Sequence, residues 1–84
     1  MEKLAELLTA MTGHLVDHPE AVNVVISTSN EDGLTTFEVY VAPGELGQAI
    51  GRDGRLANAM RLIIKSAARK HDSRVLVEFK DVTT

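Results

Sequence analysis

The 84-residue sequence predicts an α+β domain of order α-β-β-α-α-β, a three-stranded mixed sheet with three helices on one face. Three observations predict it. Apolar residues recur at helical spacing near the amino terminus and again after residue 55, three stretches alternate apolar and polar as half-buried strands do, and Pro-Gly or Gly-rich punctuation separates them. The length suits one domain, since a chain this short buries only about 60% of its unfolded surface.

Leu4, Leu7, Leu8, Met11 and Leu15 fall on one face of a first helix, with Glu2, Lys3 and Glu6 off it. Pro19 disfavours helical backbone just before it, so the helix is expected to end near Val16 or Asp17. Residues 21–28 are rich in β-branched side chains, and Val22, Val24 and Ile26 alternate with Asn23, Val25 and Ser27. Ser29-Asn30-Glu31-Asp32-Gly33 supplies turn residues. Residues 35–41 then place Phe37, Val39 and Val41 on one face, which completes an antiparallel hairpin.

Pro43-Gly44 stops the second strand, and residues 45–50 form a short helix closing at Gly51. A longer helix follows, with Leu56, Ala59, Met60, Ile63, Ile64 and Ala67 expected toward the core and Arg55, Asn58, Arg61, Lys65 and Arg69 outward. Leu62 lies among the basic residues, as a dimer contact or as an ordinary exposed leucine. Val75, Val77 and Phe79 alternate in a last strand, with residues 81–84 as a frayed tail. The crossover makes that strand parallel to the second.

Composition excludes several classes. With no cysteine there is no disulfide and no thiolate metal site. The charged first segment lacks the core of a signal peptide, and no run reaches the roughly 20 apolar residues of a membrane span, so a cytoplasmic protein with no membrane partner is expected. His14 and His18 sit at i and i+4, but Pro19 ends the helix and no further ligand joins them, so no metal is assigned. Neither a nucleophile–base arrangement nor a nucleotide-binding lysine loop is evident. No enzyme activity, small-molecule substrate or cofactor is expected. Phe37, Tyr40 and Phe79 are the only aromatic residues, too few for a base-stacking platform.

The net charge of −3 conceals a strong asymmetry. Residues 1–50 hold one base against eight acids, whereas residues 51–74 hold seven bases against Asp53 and Asp72. An anionic partner meets a local positive field there, with salt-sensitive affinity.

That field begins in Ile50-Gly51-Arg52-Asp53-Gly54-Arg55, between the two later helices. Glycines lack a Cβ and take positive φ, so a nucleic-acid backbone can approach the main chain closely. The following helix start favours an anion, and Arg52 and Arg55 add forked donors. Taken alone, the four residues are more often a tight interhelical turn with Gly as a helix terminator. Their setting, joining a short helix to a long one where the positive charge begins, favours a phosphate cradle.

In that setting the chain resembles the bacterial single-KH-domain family of the KhpA type, over nearly its whole length. The matching stretches are Leu15-Val16-Asp17-His18-Pro19-Glu20, Val41-Ala42-Pro43, Leu46-Gly47 and residues 50–55, followed by Ala59, Arg61 and Lys65. The resemblance implies a type II KH domain over residues 1–84, with an extension at 1–29, a β-α-α-β core at 34–80 and the GxxG loop at 51–54. It implies a single-stranded RNA partner, with single-stranded DNA as an option, and a role as an RNA chaperone or post-transcriptional regulator. It further implies a homodimer, or a heterodimer with a larger KH-containing protein of the KhpB or Jag type, and a link to cell shape and division.

On that reading the RNA-binding residues are Gln48, Ile50, Gly51, Arg52, Asp53, Gly54, Arg55, Leu56, Asn58, Arg61, Lys70 and Arg74. Ile50, Leu56 and Ala57 are either an apolar groove floor or plain core. Gln48 replaces a common basic residue and Asp53 puts an acid in the loop, so affinity below the family pattern is expected. The alternative is a dimerisation module that keeps the fold and has lost most RNA binding.

Overall fold

The structure, a computed structural model, describes residues 1–82. Its elements are α1 (Glu2–Gly13), β1 (Asn23–Thr28), β2 (Leu34–Val41), α2 (Leu46–Ile50), α3 (Arg55–Arg69) and β3 (Arg74–Asp81), with single 3-10 turns at Pro19–Ala21 and Arg52–Gly54. The sheet order is β1-β2-β3. β1 pairs antiparallel with β2, and β3 pairs parallel with it, Leu34 opposite Arg74 and Val41 opposite Asp81.

The central strand supplies the core because its alternation is strict: Phe37, Val39 and Val41 are wholly buried. Leu8, Ile64 and Val77 join them, and each such side chain contributes about 1.5–3 kcal/mol of burial. Thr12 is buried as well, its hydroxyl donating to the Met60 sulfur at 3.7 Å. The opposite face of the sheet carries Glu38, which accepts from the Lys80 ammonium at 2.5 Å. Glu78 lies 3.9 Å from the same ammonium.

Several expectations need correction. α1 ends at Gly13, short of Val16, because the i−4 bonding stops with His14 N–H to Ala10 O at 3.2 Å and the Leu15 N–H turns to Thr12 O at 2.9 Å, a tighter turn that delivers the chain to the 3-10 turn. That turn occupies residues 19–21, so β1 starts at Asn23 and not at residue 21. In α1 the expected face largely holds: Leu8 is buried, Leu4, Met11 and Leu15 pack against the core, Thr12 is buried beside them and Leu7 alone of that face is exposed. α3 is rotated from the expected orientation. In α3 the buried row is Ala57, Met60, Ile64 and Ala68, leaving Ala59, Leu56 (37% exposed) and Ile63 (44%) outside. Small Ala57 and Ala68 let α3 lie close to the sheet, which the larger residues at 56 and 63 would not allow. Leu62 is 65% exposed.

Asp81, expected in a tail, is the last residue of β3, and its carboxylate accepts from the Gly44 N–H at 3.3 Å. Val82 donates its N–H to Val41 O at 3.1 Å. Residues 83 and 84 lie outside the described residues.

Candidate nucleic-acid interface

α2 is only five residues long and is held from outside. The His18 N–H donates to Glu45 Oε1 at 2.9 Å, and the His18 ring nitrogen Nδ1 bonds Glu45 Oε2. One residue earlier, Asp17 N–H donates to Gln48 Oε1 at 2.9 Å, and Gln48 Nε2 donates to the Asp17 carboxylate at 3.0 Å. Glu45 is buried. These four bonds fix the start of α2 against the segment after α1, and its other end delivers the loop. The Glu45 carboxylate holds the His18 pKa above its ordinary 6.5, with smaller contributions from Glu20 and Asp17.

The loop has three positive-φ residues in four. Gly51 takes φ 79° and ψ 174°, Asp53 φ 56° and Gly54 φ 76°. Gly51 adopts a region that is essentially closed to other residues, and its position is crowded too: a Cβ there would lie 2.7 Å from Leu56 Cγ. Leu56 therefore covers Gly51. At Gly54 a Cβ would meet only Asn58 Nδ2, at 3.7 Å, so its requirement is conformational. Asp53 fits its left-handed position because a short polar side chain tolerates that backbone. The Gly54 N–H donates to Gly51 O at 3.2 Å and the Arg55 N–H to Arg52 O, which closes the loop onto α3.

From the loop, α3 runs alongside β3, the edge strand of the sheet, and the line between them is the candidate groove. Arg61 bridges it. Its Nε donates to Val77 O at 3.1 Å, its Nη1 to Asn58 Oδ1 at 3.1 Å, and its guanidinium lies 5.6 Å from the Phe79 ring centroid. A guanidinium has five N–H donors, so three are left for a ligand.

Of the expected residues, the structure gathers Ile50, Gly51, Arg52, Asp53, Gly54, Arg55, Leu56, Asn58 and Arg61 at the loop end of this groove. It separates others. Ala57 is 1% exposed and belongs to the core, not to a groove floor. Gln48 has both ends of its amide engaged by Asp17. Lys70 and Arg74 lie past the far end of α3, roughly 20 Å from the loop at 1.5 Å per helical residue. Phe79 and the Leu56–Gly51 contact were not singled out in the sequence. The spacing of Arg61, Lys65 and Arg69 at i, i+4 and i+8 did mark a basic stripe.

Among the described residues, none of Arg52, Arg55, Arg61, Lys65, Arg69, Lys70 and Arg74 forms an ion pair; the ammonium that does is Lys80. Their charges are thus not tied up in short ion pairs. No group of three or more His, Asp or Glu suited to a metal ion occurs among the described residues, and none of their helices is long and apolar enough to cross a membrane.

A family model described as KhpA/KhpB, KH domain, matches residues 5–79. Similar curated proteins include the RNA-binding protein KhpA of Caldanaerobacter subterraneus subsp. tengcongensis, 39% identical over 89% of this chain and 97% of the relative. RNA-binding protein KhpA of Clostridium acetobutylicum is 40% identical over the same shares. That of Listeria monocytogenes is 33% identical over 89% of this chain and 96% of its own. No solved structure matches.

Proposed function

The chain belongs to the KhpA/KhpB family of KH domains, and from that premise we propose that it binds single-stranded RNA through the Gly51–Gly54 loop and the groove beside it. The observation that carries this reading is the pairing of a backbone fixed at positive φ with flanking arginines that no carboxylate neutralises. A strand backbone lies against the main chain at Gly54, which is open, and along the loop whose turn Gly51 makes possible beneath Leu56. Arg52 and Arg55 meet its phosphates, and the dipole of α3 adds to them. Ile50 and Leu56 offer apolar contact, and Asn58 and Arg61 face bases from the α3 wall. A KH loop of this kind holds about four nucleotides.

The relatives named RNA-binding protein KhpA support this assignment. The protein acts by binding and not by catalysis, in the cytoplasm, as a chaperone or post-transcriptional regulator of RNA. Residues 1–84 work as one KH domain. Asp53 lowers the attraction for phosphate without disturbing the loop.

A second reading rests on the apolar flank of α3. Leu56, Leu62 and Ile63 are exposed together, which favours pairing with another copy or with a larger KH-containing protein. Leu56 belongs to both surfaces and Leu62 lies beside Lys65 and Arg69, so self-association and RNA binding would overlap on α3.

The test is a titration of fluorescent single-stranded RNA and DNA with wild type and Gly51→Asp/Gly54→Asp at two salt concentrations, folding being checked by circular dichroism. Loss of one or two charge-assisted phosphate contacts weakens binding about tenfold or more. If the folded double variant binds as tightly as wild type, the loop is not the site.

A further inference from the structure

Beyond the loop, the same groove ends in a second basic feature. A cavity of 340 Å³ opens where the end of α3 meets the start of the sheet, lined by Leu34, Lys65, Arg69, Ser73, Arg74 and Val75. Three cations converge on it, and no acid lines it. Asp32 and Asp72 lie nearby in the chain. Asp32 feels the Arg74 charge, but its carboxylate accepts from the Leu34 N–H at 3.0 Å, so it remains tied to its own turn. The Ser73 hydroxyl donates to His71 O at 3.3 Å, which leaves the three cations as the donors facing the cavity.

The arrangement disfavours the free protein. Arg61, Lys65 and Arg69 form successive like-charge pairs at i, i+4 on one helix face, and such pairs destabilise a helix. An anion shared by Lys65, Arg69 and Arg74 would relieve that repulsion. The same stripe says which anion. Arg61 belongs to the groove beside the loop, Lys65 and Arg69 to the cavity, and their four-residue spacing keeps all three on one side of α3. A ligand that follows the groove reaches the cavity without crossing to another face.

We propose that the cavity formed by Lys65, Arg69 and Arg74 is a second phosphate-binding site for the RNA strand held at Gly51–Gly54. The inference rests on the RNA-binding reading above and extends it from a four-nucleotide clamp to a longer track. The two sites are about 20 Å apart along α3. At a stacked spacing of about 3.4 Å per nucleotide the gap takes roughly six nucleotides. Leu34 and Val75 give the cavity an apolar wall against which a sugar or base edge packs.

The experiment compares a 4-nucleotide and a 12-nucleotide oligouridylate on wild type, Lys65→Gln/Arg69→Gln and Arg74→Gln. Both variants alter exposed positions, and folding is confirmed by thermal melting; the second stands in if the first fails to fold. The longer RNA gains by statistics alone, so the variant sets the baseline. The wild-type gain from 4 to 12 nucleotides should exceed that of the double variant by about tenfold, with affinity for the 4-mer unchanged. The slope of log K against log salt for the 12-mer should shrink by about 0.7, the value for one phosphate on a single strand.

An equal length gain in wild type and variant overturns the second site. So does an equal loss on the 4-mer, which would indicate a diffuse field. Uridine monophosphate at millimolar concentration should leave the 12-mer bound. If it reduces the 12-mer to 4-mer affinity, the cavity takes free phosphate esters and the strand assignment falls. A wild type that binds neither RNA refutes the RNA-binding reading together with this one, whereas 4-mer binding sensitive to Gly51→Asp/Gly54→Asp with no excess length gain refutes only the second site.

Discussion

His18 meets Glu45 twice, through its backbone N–H at 2.9 Å and through its ring Nδ1, and Glu45 begins the short helix that ends at Gly51. The His18 pKa is raised by Glu45 above its ordinary 6.5. The imidazolium is therefore favoured in the folded chain, and its contribution to stability is complete below pH 6.5 and disappears as pH rises through the elevated value. Melting temperatures of wild type and His18→Gln should differ most below pH 6.5 and converge at higher pH. A difference that grows with pH would refute the assignment.

Gly51→Ala should destabilise the fold by about 1–3 kcal/mol, because it combines a Gly-only backbone region with a clash at Leu56. In a Leu56→Ala background the contacts to Cγ and Cδ1 are gone, while the 3.0 Å approach to Cβ and the backbone strain remain. A double-mutant cycle by urea unfolding should therefore show coupling of about 1 kcal/mol between positions 51 and 56. Gly54→Ala, with open space around its Cβ, should show no such coupling to Leu56.

Asp53→Asn keeps a side chain suited to the left-handed position and removes the negative charge. Its effect on RNA affinity should be a gain of about two- to fivefold, from an interaction of order 1 kcal/mol at the surface, diminishing at high salt. Fluorescence anisotropy with a short oligouridylate measures it. Unchanged affinity at low salt would place the RNA phosphates away from the loop.

Arg61→Lys is not conservative here. An ammonium cannot donate to Val77 O and Asn58 Oδ1 together while covering Phe79, so the exchange should destabilise the protein by about 1 kcal/mol and weaken RNA binding as well. Chemical denaturation and anisotropy on the same preparation check both effects.

The element order and the sheet topology were legible in the sequence because β2 alternates strictly, because Val75, Val77 and Phe79 mark one face of β3, and because the chain punctuates itself at Pro43-Gly44 and Gly51. The loop was legible for the same local reason: two glycines three apart between helical stretches. The orientation of α3 was not, although that of α1 largely was. Periodicity gives the width of an apolar face, but in α3 large residues such as Ile63 and Leu56 drew the predicted face toward themselves, while close packing buried Ala57 and Ala68. The tethers that hold the site were also hidden. Glu45 and His18 are 27 positions apart, and no local pattern connects them. Arg61 could be read as basic and outward, yet its partners on β3 exist only once the strand has returned.

That return also sets a timetable. β3 pairs with β2 between residues forty positions apart, Leu34 with Arg74 through Val41 with Asp81, so its docking closes the longer of the sheet's two strand connections. Long-range parallel pairing is slow because chain entropy is lost before the contacts form. Until β3 docks, the groove has one wall and Arg61 lacks both Val77 and Phe79. A folding intermediate with the β1-β2 hairpin and the helices formed would already carry the glycine loop and still lack a track for the strand, so competence to grip RNA should arrive in the final folding phase and not with the first collapse.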